Sequence, residues 1–76
     1  MSSPAQIRMA RAALGWSVRE LSERSGVAES TILRFETGKG GMQTGTLDRV
    51  EVTLTKAGVI FISADAAGGA GVRFKK

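Results

Sequence analysis

A small, mainly α domain, four helices closed by a C-terminal β-hairpin or strand pair, is what this chain of 76 residues predicts. Three observations carry that expectation. Apolar residues recur at helical spacing in four stretches, bounded by the serines, threonines and glycines that suit helix ends. After the fourth stretch the periodicity changes: VIFI, 59–62, is an unbroken apolar run, and GVRFKK alternates as a half-buried strand does. Between these elements lie two glycine-rich runs, GKGGMQTG and ADAAGGAG, whose composition opposes regular structure.

The first helix is expected over 4–14. Ser3 followed by Pro4 reads as N-cap and first helical residue, Ile7, Ala10 and Leu14 form the apolar stripe, and Gly15 suits the terminus. Met1 and Ser2 precede it as frayed chain. Arg8 and Gln6 fall on its exposed side, with Arg11 nearer the stripe. The second helix, 18–25, starts at Ser17, and Glu20 three residues on completes the pattern of a capping box. Trp16 and Leu21 are placed for a hydrophobic staple. Gly26 can take the left-handed conformation that ends a helix without a Cβ clash. Val27 is then pressed inward.

A third helix follows at 29–36. Ile32 and Phe35 project to one side of it, and Glu29, Ser30, Leu33 and Arg34 to the other. Trp16, Leu21, Val27, Ile32 and Phe35 are expected in the core, and Ser22 is small where the second and third helices would cross. Residues 38–45 read as a mobile loop, with Lys39 in reach of a phosphate and Met42 a loop residue. Thr46 looks like the N-cap of a fourth helix, 47–57, carrying Leu47, Val50 and Leu54 at helical spacing. The strands are expected at 59–62, covered on both faces, and at 72–75, with Val72 and Phe74 inward and Arg73 and Lys75 outward. Lys76 completes a basic tail.

Two short helices hinged at one glycine are the physical recipe of the helix-turn-helix, whose second helix enters the major groove of double-stranded DNA. The run L-S-x-x-S-G-V-x-x-x-x-I-x-x-F-E-x-G, within an ungapped stretch from Leu14 to Lys39, resembles the lambda-repressor-like (Cro/cI or XRE-type) family of transcriptional regulators. The tail of apolar strand, glycine-rich loop and GVR is similar, more loosely, to that of many short bacterial members. The resemblance implies the four-helix fold, an ion pair between Arg11 and Glu36 joining the first helix to the third, and base-contacting roles for Ser30 and Arg34. The chain departs from the family's pattern in having Val18 where glutamine is frequent and Ala28 where serine or threonine is.

The chemistry of the residues fits such a partner. The Arg34 fork matches guanine O6 and N7, Glu29 can accept from cytosine N4 or serve the helix dipole, and Leu33 can meet a thymine methyl. Arg19, beside a positive helix end, is a candidate for the DNA backbone, as are Arg8 and Lys39.

Composition narrows the alternatives. Cysteine and histidine are both absent, which removes disulfides, the usual zinc sites, thiol nucleophiles and histidine acid–base catalysis. Neither an enzyme nor a cofactor is expected. The formal net charge of +4 suits a polyanion. Nothing has the order of a signal peptide or the length of a membrane span, so a cytoplasmic protein is expected. One thin core favours a homodimer through the VIFI strand, and no segment is evident for sensing a small-molecule effector. A repressor acting by promoter occlusion is the expected role. The rivals are a protein-binding module, such as an antitoxin or anti-activator using Glu29 and Leu33, and a DNA-architectural or excision factor.

Overall fold

A computed structural model describes residues 2–75, so Lys76 and Met1 lie outside the described residues. Four helices, α1 (Pro4–Ala13), α2 (Val18–Ser25), α3 (Glu29–Glu36) and α4 (Thr44–Lys56), precede one antiparallel pair, β1 (Val59–Ile62) and β2 (Gly71–Phe74). The mainly α fold with a C-terminal hairpin is therefore the one the sequence predicts. The strands pair within the chain, with Ile60 opposite Arg73 and Phe61 opposite Val72.

The first two helix starts are set by serines. Ser3 and Gln6 form a reciprocal capping box: the Gln6 amide donates to Ser3 Oγ at 3.2 Å and the Ser3 amide to Gln6 Oε1 at 2.9 Å. At Ser17 only half of the expected box is present. Its Oγ accepts from the Glu20 amide at 3.0 Å, but the Glu20 carboxylate turns to Arg24, whose Nε donates to it at 2.6 Å. A charged partner one turn away outcompetes the neutral backbone amide.

Helix ends follow the glycines. After α1 the Trp16 amide bonds the Arg11 carbonyl and Gly15 takes φ +71, and after α3 the Lys39 amide bonds the Arg34 carbonyl beyond Gly38, at φ +74. Each is the double-bonded turn that a left-handed residue permits. Gly26, at φ +73, ends α2 and folds α3 back against it.

The core draws on every element except β2. Ile7 and Ala10 of α1, Leu21 of α2, Val27 in the turn, Ile32 and Phe35 of α3, Leu47, Val50 and Leu54 of α4 and Val59 of β1 form one buried cluster. Of the five residues expected inside, Trp16 alone is only half-buried. It packs against the cluster with the Arg24 guanidinium 4.4 Å from its ring centre, an arrangement the ring's negative face favours.

Several boundaries and exposures differ from the sequence expectation. Ser2 is buried rather than frayed, because its amide donates to Glu51 Oε2 at 2.8 Å and its hydroxyl to the same oxygen. Gln6 is buried rather than exposed, because the start of α1 abuts the hairpin: its Nε2 donates to the carbonyls of Ile62, at 2.9 Å, and Gly71, at 3.1 Å. The fourth helix opens at Thr44, with Gln43 as N-cap and no side-chain cap bond, so Gly45 lies inside its first turn. A glycine there costs about 1 kcal/mol against alanine, which burial of Leu47, Val50 and Leu54 offsets. Met42 packs on the core and is more than a loop residue.

In β1 only Val59 is fully buried, since a two-stranded sheet resting on helices has one covered face, not two. The second strand spans Gly71–Phe74. Phe74 shares the inward face by register but remains 48% exposed, at the open end of an edge strand with a neighbour on one side only.

Candidate nucleic-acid interface

Two arginines on successive turns of α1 hold α3 from behind. Arg11 donates twice to the Glu36 carboxylate, Nε to Oε2 at 2.9 Å and Nη2 to Oε1 at 2.8 Å, and a third time from Nη1 to the Trp16 carbonyl. The Glu36 side chain is 2% exposed, so the fork-to-fork geometry satisfies a carboxylate that water cannot reach. Hydrogen bonding to Glu36 raises the Arg11 guanidinium above its ordinary value, with burial opposing the effect. A raised basic group stabilises the fold below its ordinary range and releases that stability only as pH climbs through the higher folded value. For arginine this leaves the cation intact at any pH of use.

Arg8, three residues earlier on the same face, donates from Nη1 to the Glu36 main-chain carbonyl at 2.7 Å. It therefore binds the carbonyl end of α3, where a cation is favoured, through one nitrogen while its side chain stays exposed.

With its inner side anchored in this way, α3 presents the opposite side to solvent. Glu29, Ser30, Leu33 and Arg34 are all exposed, Leu33 at 53%. None of the three polar side chains among them has a hydrogen bond or ion pair within the described residues. Ser30, Leu33, Arg34, Thr37 and Lys39 line one shallow, largely apolar depression along this face. Arg34 also borders a second, more polar one, shared with Thr31, Gln43, Thr46 and Arg49. Among the sequence candidates, then, Ser30, Leu33, Arg34 and Lys39 are brought together, Glu29 sits at the start of the same helix, and Arg8 stands apart, at its far end.

Arg49 escaped the sequence reading. It lies on the fourth helix, and only the fold of the 38–43 segment brings that helix beside Arg34. The two helix starts without side-chain caps, at Ala28 of α3 and Gln43 of α4, border the same depression. Their free N–H groups add partial positive charge to that of the two arginines. Arg19 stands on α2 with its side chain 76% exposed and its Nε 3.7 Å from Glu23. So exposed a pair is worth little, and Arg19 can exchange that partner for another anion.

Among the described residues no helix is long and apolar enough to cross a membrane, and no group of acidic side chains could hold a metal ion. A family model described as a helix-turn-helix domain matches residues 5–53, which runs from the first turn of α1 through most of α4. A search of curated proteins finds no match to the chain.

Proposed function

The chain belongs to the helix-turn-helix domain family, and from that premise we propose that it is a sequence-specific transcriptional regulator that lays α3 in the major groove of double-stranded DNA. The observation that carries this is the division of α3 into two sides. Its inner side is fixed by Ile32, Phe35 and the Arg11–Glu36 pair, while its outer side leaves Ser30, Leu33 and Arg34 exposed and without partners. A rod held from behind with unspent donors in front suits a groove lined by base edges. In this reading Arg34 reads guanine or clamps a phosphate, Ser30 and Glu29 meet base edges near the start of the helix, and Leu33 packs on a thymine methyl. Arg19, Lys39 and Arg49 bind the backbone.

One recognition helix reads too few base pairs for useful discrimination, so the working form is a homodimer on two half-sites about one helical turn apart. Support comes from the half-buried Ile60 and Ile62 of β1 and from the outer edge of that strand, which pairs with no other among the described residues. Such a dimer represses by covering a promoter element, with its concentration as the control.

The competing reading, a protein-binding module on the same scaffold, draws on the exposed Leu33 beside Glu29. Titration against random-sequence duplex DNA at several salt concentrations separates the two. A steep fall of log affinity with log salt is expected, with about one unit of slope for each phosphate neutralised. Absence of binding at low salt would reject the DNA reading.

A further inference from the structure

Two glycines close together after α3 answer to different constraints. Gly38 has φ +74, a conformation that a side chain rarely adopts. Gly40 has no such excuse: its φ is not positive, so its backbone conformation admits any residue. What a side chain there would meet is Arg34. A Cβ built on Gly40 would lie 2.9 Å from Arg34 Cδ, 3.0 Å from Cγ and 3.5 Å from Nε. The turn itself produces this approach. The bond from the Lys39 amide to the Arg34 carbonyl, 3.0 Å, folds the chain back over the last turn of α3, and Gly40 arrives beside the arginine's stem. Gly41, next along, has nothing within 4 Å of its own Cβ position.

We infer that Gly40 is a positioning residue for Arg34: the missing side chain leaves a slot in which the arginine's methylene stem rests, and this sets the direction in which the guanidinium faces DNA. The inference rests on the proposed reading of α3 and adds the residue that aims its principal donor. Alanine at position 40 occupies the slot and drives Arg34 into another rotamer. Because Arg34 is exposed and unpaired, that swing leaves the packing untouched. A bidentate contact needs its fork aligned with the base edge, so affinity falls while the fold stays intact.

The test uses the full chain and a duplex enriched by the parent protein from a random-sequence pool. Gly40→Ala is expected to keep the parent's melting temperature and to bind the enriched duplex about tenfold more weakly, the scale of one lost bidentate contact. Gly41→Ala is expected to match the parent in both measurements. In an Arg34→Ala background, Gly40→Ala is expected to have no further effect, since its target is gone.

Parent-like binding by Gly40→Ala overturns the inference, as does an equal loss with Gly41→Ala, which would point to loop stiffness. An undiminished effect in the Arg34→Ala background overturns it as well. If Arg34→Ala itself binds like the parent, the reading of Arg34 as a DNA contact fails first and the inference falls with it. Nuclear Overhauser contacts between the Arg34 methylenes and the Gly40 α-protons are expected in the parent, and their absence would deny the slot.

Discussion

The helices α2 and α3 have the same length, eight residues each, and treat their charges in opposite ways. α2 spends them on itself: Arg24 pairs with Glu20 at 2.6 Å while covering Trp16, and Arg19 leans toward Glu23. Its start is capped by Ser17. α3 is buried more deeply on one side, through Ile32, Phe35 and Glu36, yet among the described residues the side chains of Glu29, Ser30 and Arg34 and the amides of Glu29 and Ser30 have no partner. The difference teaches where each helix finds its stability. α2 balances charge against charge along its own length, with only Arg19 loosely held, whereas α3 takes its stability from behind and keeps its front unspent.

Removing the rear anchor is expected to have the largest effect. Arg11→Ala strands a Glu36 carboxylate that solvent cannot reach, and breaking such a buried pair costs about 3–5 kcal/mol. The Arg11 side chain is itself 20% exposed, which favours the lower end of that range. Urea unfolding should register it, and an unchanged midpoint would mean that α3 is held by its apolar residues alone. Next comes Arg34→Ala, expected to lose about 1–3 kcal/mol of binding on its selected duplex with unaltered urea stability. A loss of stability instead would erase the distinction between the two helices.

A gain of about 1 kcal/mol is expected from Ala28→Ser, which supplies α3 with the cap it lacks, provided that melting is followed without DNA. The smallest change is Arg24→Ala, worth less than about 1 kcal/mol of stability for an exposed pair and a cation over a ring, and nothing in DNA affinity. A binding loss there would add Arg24 to the residues of α2 that meet DNA, beside Arg19.

What the sequence made legible was local. Ser3, Ser17, Gly26 and Gly38 act on residues within one turn of themselves, so their consequences can be read by counting. The outward set of α3 follows from the helical period with equal directness. Arg11 and Glu36 are 25 positions apart, and only the family resemblance joined them.

What the sequence leaves hidden has a common cause. The burial of Gln6 and Ser2 has no local sign, because their partners lie 49 to 65 positions away, and a polar residue carries no periodicity that marks it as buried. The start of α4 falls earlier than its residues suggest, because Thr44, Gly45 and Thr46 carry loop chemistry that the packing of Leu47 and Val50 overrides. Arg49 comes to line the same depression as Arg34 through the folding of a segment whose composition suggests no fold.

The Gln6 carboxamide touches the first turn of the chain's first helix and both strands where the hairpin opens. One side chain thus works as a clasp between the first helix and the hairpin. Peeling the tail away would strip that amide of two acceptors in a dry setting, and the strain would fall on the helix whose two arginines grip the end of α3. Beginning and end are in this sense a single fastening, so the domain should come apart all at once rather than by unravelling from its last residues inward.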